Sequence, residues 1–199
     1  DTDLAAAIAS KLEIEAVEVL GYAVFKRSYD ARQQQRILLI YQVDVELTAA
    51  LEAQLLEKFA QQSICRPSPD TSYQFVAQAE ADFPSGQQQR PLVIGFGPCG
   101  ILAALLLAQM GLRPIVLERG REVRQRTQDT WGFWRKRELD TESNVQFGEG
   151  GAGTFSDGKL YSQVKDKRHL GRKVQIEFVK AGAPAEILVL SKPHIGTFK

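Results

Sequence analysis

The glycine-rich run Gly95–Gly100, which reads Gly-Phe-Gly-Pro-Cys-Gly, constrains the fold more than any other part of the sequence. It follows the short apolar run Leu92–Ile94 and opens the apolar stretch Pro98–Met110, which predicts a helix that stops at Gly111. A second apolar run, Ile115–Leu117, comes next. The order strand, helix, strand predicts a βαβ unit with two buried parallel strands. In that context a G-x-G-x-x-G pattern is typical of a Rossmann-like dinucleotide site.

Each glycine of the pattern has a physical task. Gly95 permits the tight turn, Gly97 lets the main chain approach a pyrophosphate, and Gly100 allows the helix to pack closely on the strand. Glu118 ends the next strand, 23 residues after Gly95, and predicts a carboxylate that binds the ribose hydroxyls. Because a carboxylate repels a 2′-phosphate, NADP is not expected at this position. A tight turn that binds no ligand is the alternative interpretation.

The preceding segment predicts a small α+β domain. Residues Asp3–Lys11 have the apolar spacing of a short helix, and Glu18–Tyr29 and Arg36–Leu47 are β-like runs that Asp30–Gln35 would join as a hairpin. A second helix should start after Thr48, which is a plausible N-cap. Its apolar face would carry Leu51, Leu55, Leu56 and Phe59.

A change of composition separates the two segments. Residues 84–90 contain proline, serine, glycine and three glutamines without apolar periodicity, which is typical of a linker. We therefore predict a small α+β domain over residues 1–83, a linker over 84–90 and a nucleotide-binding segment over 91–199. The fold class is α/β, with the second domain forming the first part of a Rossmann-like FAD-binding domain that is incomplete in this chain.

Composition narrows the class of protein. The chain has 199 residues, of which 44% are hydrophobic and 25% charged, as in ordinary soluble domains. The longest apolar run, Ile101–Ala108, is too short to cross a bilayer. Two unpatterned cysteines predict neither a disulfide framework nor a metal site, so we expect a cytoplasmic protein without membrane or metal. A start at Asp1, without Met or a signal peptide, suggests a trimmed chain or a fragment.

Charge is divided unevenly along the chain. Residues 1–90 hold 8 Lys+Arg and 13 Asp+Glu, a net charge of −5, which leaves +6 for residues 91–199. The basic part carries the glycine motif, as an anionic ligand would favour. Two domains with different surface charge give the same pattern, so both interpretations stay open.

A second glycine-rich run, Gln146–Leu160, begins some 30 residues after Glu118. Simple NAD dehydrogenases have no such loop there, whereas two-domain flavoproteins use one to wrap the pyrophosphate and approach the isoalloxazine. The runs Val93–Gly100, Leu117–Gly120 and Asn144–Leu160 resemble a bacterial family of uncharacterised FAD-dependent dehydrogenases, also described as NAD(FAD)-utilising. The segment Phe25–Arg32 is similar to the N-terminal region of that family, so the likeness covers nearly the whole chain.

The resemblance implies FAD binding and a redox role, with NAD(P)H as a candidate electron donor, but supplies no substrate. It places Gly95, Gly97, Pro98, Cys99 and Gly100 on the pyrophosphate turn, Glu118 on the adenosine ribose and Arg119 beside the adenine or ribose. It also places Gly150, Gly151, Ala152, Gly153 and Thr154 along the pyrophosphate and ribityl chain, and Ser156, Asp157 and Lys159 near the flavin ring. Members of the family run on for hundreds of residues, and a late strand supplies a Gly-Asp pair. Since this chain ends at Lys199, an incomplete FAD domain without a nameable catalytic residue is expected.

Four further features have competing interpretations. Cys99, at the predicted helix start, is either a reactive thiol or a small packing residue, and we favour packing. The basic and aromatic stretch Arg119–Arg137 favours a solvated helix whose aromatic face packs on the core, ahead of FAD contacts or nucleic-acid binding. His169 is expected to be exposed or capping in a helix over Lys167–Ala181. His194 lies in a loop of the kind that lines flavin pockets and is a candidate general acid or base.

The sequence thus predicts a dehydrogenase-type FAD-binding oxidoreductase whose substrate and oligomeric state it does not specify. The alternative is a non-catalytic flavin-binding module whose N-terminal domain binds a protein or a nucleic acid. Basic residues around the predicted hairpin support that alternative: Lys26, Arg27, Arg32 and Arg36. A nucleic-acid partner is disfavoured because the domain is acidic overall.

Overall fold

The computed structural model describes residues 2–33 and 35–196, and in this part of the chain it shows a mixed α/β protein with two small sheets. The chain divides into two compact units, one built from the residues up to Ser72 with Leu160–Pro193, the other from Tyr73–Lys159 with the segment from His194. Its helices and strands are α1 (Thr2–Leu12), β1 (Gly21–Gln33), β2 (Arg36–Glu46), α2 (Ala49–Lys58), β3 (Leu92–Ile94), α3 (Pro98–Gln109), β4 (Ile115–Leu117), α4 (Val123–Lys136) and α5 (Leu170–Lys180). The Rossmann-like FAD domain stays a prediction.

The N-terminal unit has an apolar core between its first two helices. Ile8 and Leu12 of α1 pack with Leu55 and Phe59 of the α2 region, and all four side chains are at most 7% exposed. The predicted start of α2 is confirmed, since Thr48 caps the helix by accepting a hydrogen bond from the Leu51 amide at 3.4 Å. Leu51, Leu55 and Phe59 of its predicted apolar face pack in this core, whereas Leu56 is half-buried outside it. Each such buried side chain contributes about 1.5–3 kcal/mol to the free energy of folding.

The predicted hairpin is confirmed, with an altered boundary. Strands β1 and β2 pair antiparallel from Gly21 opposite Glu46 to Gln33 opposite Arg36. The stretch Asp30–Gln33, expected in the connection, belongs to β1 instead, because its main chain continues the pairing past an irregularity. Polar and apolar residues alternate at the end of β2, and Val43 and Val45 pack on the core. Tyr41 continues that alternation but is 36% exposed.

Helix α5 and the residues that follow it contact strand β1 of the hairpin. Arg27 of β1 donates its main-chain N–H to the Val189 carbonyl at 2.6 Å and accepts from the Ser191 amide at 2.9 Å. The Arg172 guanidinium of α5 lies 6.0 Å from the Phe25 ring and donates to the Leu188 carbonyl. These contacts group Leu160–Pro193 with the N-terminal segment, whereas the sequence placed residues 160–193 with the nucleotide-binding segment.

Helix α5 begins later than expected. It starts at Leu170 rather than Lys167, since His169 adopts a left-handed conformation with φ of 53°. The Asp166 carboxylate accepts a hydrogen bond from the Gly171 amide at 2.6 Å and so stabilises the helix start. This hydrogen bond, together with weaker ones from neighbouring main-chain amides, lowers the pKa of Asp166. His169 therefore stands at the N-cap position, with its ring 6.3 Å from that of Phe25.

The second unit contains the predicted βαβ element. Strands β3 and β4 pair parallel, with Val93 opposite Val116, and α3 connects them with Pro98 in its first turn. The expectation of buried strands is wrong for this chain: Ile94 is 82% exposed and Leu117 is 52% exposed. The physical reason is that the sheet containing β3 has only β4 as a neighbour among the described residues, so most of its surface is uncovered.

Candidate functional site

The first glycine loop has the geometry that its sequence predicts. Gly95 has φ of +94° and donates its amide to the Leu117 carbonyl at 2.7 Å, which fixes the turn at the end of β3. A Cβ at position 100 would lie 2.0 Å from the Gly95 carbonyl oxygen, so only glycine fits there. Helix geometry leaves the amides of Cys99 and Gly100 without an acceptor inside α3. Main-chain donors and the positive end of the helix dipole therefore meet at this loop.

Glu118 faces the same loop from the end of β4. Its carboxylate accepts the Phe96 amide at 2.5 Å and the Gly120 amide at 2.7 Å. These main-chain donors, Gly120 first, hold the pKa of Glu118 below its ordinary value, so the group is ionised at neutral pH. A carboxylate has about four lone-pair sites. With the Arg119 amide as a third donor, acceptor capacity is still left for a further donor such as a hydroxyl group.

The second glycine loop packs directly on the first. The Gly150 amide donates to the Phe96 carbonyl at 2.8 Å, and Gly150 and Gly151 both have positive φ. A Cβ on Gly151 would come within 3.0 Å of the Gly97 Cα, and one on Gly153 within 3.3 Å of the Pro98 ring. Two glycine-rich segments more than 50 residues apart in sequence thus share one surface at the start of α3. Ala152 and Gly153 are exposed at the edge of that surface.

Arg126 organises the second loop, and sequence reasoning missed this role. The side chain is 0% exposed; it donates to the Asn144 carbonyl at 3.1 Å, to the Glu149 carbonyl and to the Thr154 hydroxyl at 3.3 Å. Burial lowers the pKa of this guanidinium. A Cβ on Gly148, whose φ is +106°, would lie 2.5 Å from the Arg126 Cδ. That glycine is the one local signal that a large side chain occupies the loop.

Several predicted site residues have protein partners in the structure. Arg119 forms an ion pair with Glu142 at 2.7 Å and lies 5.1 Å from the Phe147 ring. Thr154 donates its hydroxyl to the Glu149 carbonyl at 3.1 Å. The Thr154 bond lies within the second glycine loop, and Arg119 contacts that loop through Phe147. The expected roles of Arg119 beside the adenine and of Thr154 along the ribityl chain stay predictions.

Two of the residues expected near the flavin ring, Asp157 and Lys159, meet His194. Lys159 Nζ lies 3.1 Å from Asp157 Oδ2, and His194 Nε2 lies 3.8 Å from the same oxygen. The main chains pair as well, since the Ile195 amide donates to the Gly158 carbonyl at 3.0 Å. All three side chains are about half exposed, so the groups are open to solvent or to a ligand.

Helix α4 differs from its prediction. Trp131, Phe133 and Trp134 are 46%, 42% and 53% exposed, so the expected packing of an aromatic face on the core is wrong for the described chain. The buried side of α4 is polar instead and carries Arg126 and Thr130, because that side faces the glycine loop. Arg135 stacks 4.6 Å from the Trp131 ring. Cys99 is an exposed free thiol, so the preferred packing role is not what the structure shows.

Two kinds of feature are absent from the described residues. Residues 2–33 and 35–196 contain no group of three or more His, Cys, Asp or Glu side chains placed to hold a metal ion. No helix within these ranges combines the length and the apolar character that crossing a membrane requires.

Comparison with known proteins gives two similarities. A family described as a domain of unknown function, DUF8436, matches residues 1–46, which span α1 and the β1–β2 hairpin. A protein of Clostridium beijerinckii (strain ATCC 51743 / NCIMB 8052), described as an uncharacterized protein, is 43% identical over 193 residues. That alignment covers 96% of this chain and 34% of the relative, so the chain spans about a third of the length of the protein it matches.

Proposed function

We propose that this chain binds FAD and forms part of a cytoplasmic oxidoreductase of the dehydrogenase type, with NAD(P)H as the candidate electron donor. The observation that carries the proposal is the close packing of two glycine-rich loops at the start of α3. Gly97 and Gly151 approach so closely that a side chain on Gly151 would be 3.0 Å from the Gly97 Cα. Bare main chain on both loops leaves room for a pyrophosphate and offers amide donors to it.

The residues of this surface fit an adenine dinucleotide. Gly100 allows α3 to start against the Gly95 carbonyl, so the amides of the first helical turn can reach a phosphate. Glu118 is ionised and keeps acceptor sites for ribose hydroxyls. The buried guanidinium of Arg126 adds positive charge behind the second loop, which favours an anionic ligand.

The resemblance of Asn144–Leu160 to flavoenzymes directs the choice of dinucleotide toward FAD. When bound, the flavin supplies the redox chemistry, and the protein binds and orients it. In this chain the glycine loops would hold the pyrophosphate, Glu118 would hold the ribose, and Arg126 would keep the second loop in its binding conformation. The reacting substrate and the residues that contact it stay outside the proposal.

Gly97→Ala tests the binding surface with little cost to folding. Gly97 has φ of −77°, and a Cβ there would meet only the Gly151 Cα at 3.7 Å, an ordinary contact. The methyl group should instead obstruct the approach of the pyrophosphate. We expect FAD affinity, measured by quenching of flavin fluorescence, to fall about tenfold or more, which corresponds to about 1.4 kcal/mol.

The matched control is Gly132→Ala in α4, where a Cβ has only the distant Glu138 carboxylate at 3.9 Å. This variant should bind FAD as the parent chain does and be about 0.5–1 kcal/mol more stable, since alanine favours a helix over glycine. If the parent chain and a longer polypeptide containing it fail to bind FAD, the proposal is wrong. Equal affinity of Gly97→Ala and the parent would show that FAD binds elsewhere.

The non-catalytic module is the second candidate, and the exposed apolar residues of β2 favour it. Ile37 and Leu39 are 65% and 50% exposed, as a strand that meets another protein would be. Support from the basic residues of the hairpin is weaker, because Arg32 pairs with Asp30 at 2.5 Å. The visible spectrum separates the two candidates: flavin bands that bleach with NADH or NADPH support the enzyme. Bands that persist under both donors favour the module.

A further inference from the structure

The segment that follows the second glycine loop brings three ionisable side chains together. Asp157 and Lys159 lie on one strand-like stretch, and His194 is opposite them on the segment that pairs with it. Asp157 Oδ2 is the common atom, 3.1 Å from Lys159 Nζ and 3.8 Å from His194 Nε2. The main chain fixes this arrangement at two further points, through amide donors of Ile195 and Gly196.

The backbone leaves this cluster little freedom to separate. The Gly158 φ is +75°, and a Cβ there would lie 3.1 Å from the Ile195 Cβ, so the two segments are in direct contact. The Gly196 amide donates to the Asp157 carbonyl at 3.2 Å. The relative positions of Asp157 and His194 therefore follow from main-chain pairing and do not depend on a weak surface ion pair.

The cluster is placed close to the proposed FAD site along the chain. Gly151 packs on Gly97, and the short 3₁₀ helix Gly151–Phe155 then leads to Asp157. A 3₁₀ helix rises about 2 Å per residue, so its five residues advance about 10 Å from the pyrophosphate loop. An FAD whose pyrophosphate lies at Gly97 extends its ribityl chain over a distance of this order before the ring begins.

We propose that His194 responds to the redox state of the bound flavin, taking up a proton when the ring is reduced, with Asp157 as its positioning residue. This inference rests on the proposed FAD binding. Reduction makes the ring more negative, and a proton from solvent on the His194 imidazole compensates for that charge. Asp157 supports the cationic imidazole, while Lys159 shares the Asp157 carboxylate. The cluster thus changes from a net charge of about zero to about +1 at the ring.

The charged groups in contact within this cluster come from two segments of the chain. Asp157 and Lys159 come from the loop after the second glycine run, and His194 comes from the segment paired with it. The hydrogen bond from Lys159 has the largest effect on Asp157 and lowers the pKa of its carboxyl group; His194 adds a smaller effect in the same direction. The carboxyl group is therefore a stable anion near neutral pH.

Histidine-selective NMR of the ¹⁵N-labelled full chain, reconstituted with FAD, tests the inference without knowledge of the substrate. The sequence has two histidines, so His169, whose ring lies 6.3 Å from Phe25 and outside the cluster, is an internal control. Anaerobic dithionite supplies the electrons and is oxidised to sulfite, and solvent supplies the proton. We expect the ring nitrogens of His194 to shift toward the protonated form on reduction, while those of His169 stay in place.

Two variants and a control, each measured at saturating FAD, sharpen the result. Asp157→Asn should reduce the shift of His194, because the amide does not support a cationic imidazole. His194→Gln should lower the midpoint potential of the flavin, since proton uptake and reduction are reciprocally linked. His169→Gln should leave the potential unchanged.

The outcomes separate this inference from the function beneath it. If FAD binds and bleaches with dithionite while both histidines keep their signals, the inference is wrong and FAD binding stands. If neither the parent chain nor a longer polypeptide containing it binds FAD, both fail together. A shift of His194 that survives intact in Asp157→Asn overturns the positioning role of Asp157.

Discussion

Four apolar side chains, Ile8, Leu12, Leu55 and Phe59, form the centre of the N-terminal unit, whereas the second unit buries polar groups beside its glycine loops. The polar side chains buried among the described residues are Arg126, Thr130 and Ser143, and all three lie in that second unit. Its aliphatic strands are largely exposed, with Ile94 at 82%. The second unit also buries the apolar side chains of Phe83, Ala104 and Met110, but its glycine loops depend in addition on hydrogen bonds from Arg126 to main-chain carbonyls and on close backbone contact.

The difference has a functional meaning. A loop built on bare main chain needs an internal support, because glycine has no side chain with which to pack. Arg126 supplies that support through its contacts to Asn144 and Glu149. Its planar fork of five N–H donors reaches carbonyls that lie in different directions, a geometry that the compact ammonium group of a lysine does not reproduce. An apolar side chain could fill the space but would leave those carbonyls without a donor.

The largest effect is expected in the apolar core. Phe59 is 3% exposed, and Phe59→Ala should lower the free energy of unfolding by about 3–5 kcal/mol, through lost burial and the cavity left behind. Hydrogen exchange of α2 amides in a urea series measures this. The control Val17→Ala, at a site that is 84% exposed, should change stability by no more than about 0.5 kcal/mol. Comparable losses in both variants would contradict an apolar core at Phe59.

The second effect tests the polar support. Arg126→Met should lower the free energy of unfolding of the second unit by about 3 kcal/mol, because at least two charge-assisted hydrogen bonds are lost. Tryptophan fluorescence reports this transition, since both tryptophans lie on α4. Arg126→Lys should recover part of the loss through its charge alone. A fully stable Arg126→Met protein would mean that the loop does not depend on the guanidinium.

A third effect concerns backbone contact. Gly100→Ala would place a Cβ 2.0 Å from the Gly95 carbonyl oxygen, so helix α3 must move away from β3. We expect a loss of about 1–3 kcal/mol, the usual cost of overpacking, in urea unfolding followed by tryptophan fluorescence. Gly97→Ala has room for its methyl group and should be much less destabilised. Equal stability of the two variants would argue against the tight crossing.

The smallest effect is electrostatic and depends on pH. The amides of Gly120 and then Phe96 lower the folded-state pKa of Glu118 below its ordinary value of 4.5. A lowered pKa stabilises the fold above pH 4.5, and this contribution disappears as the pH falls through the folded-state pKa. Glu118→Gln should therefore be less stable than the parent by about 1 kcal/mol at pH 7, and this difference should shrink on acidification. A difference that is constant from pH 7 to acid would exclude the ionised carboxylate as its source.

Much of the local structure could be predicted from the sequence, and the reasons are local. The glycines of the first loop, the apolar spacing of α1 and α2, and the alternation in β2 each determine a conformation over a few residues. Strand burial could not be predicted in the same way. An apolar run such as Leu92–Ile94 indicates that a strand is suited to burial, but its exposure depends on which elements lie beside it.

The sequence by itself determined the first glycine turn and the positions of α1, α2 and α3, because positive φ, capping and apolar spacing depend on residues near one another in the chain. Tertiary structure alone decided that Arg126 lies beneath the second glycine loop, that residues 160–193 pack with the hairpin, and that His194 meets Asp157. These contacts join residues that are 18 or more positions apart. Such pairings depend on the packing of the whole chain, and the spacing of apolar residues in the sequence does not predict them.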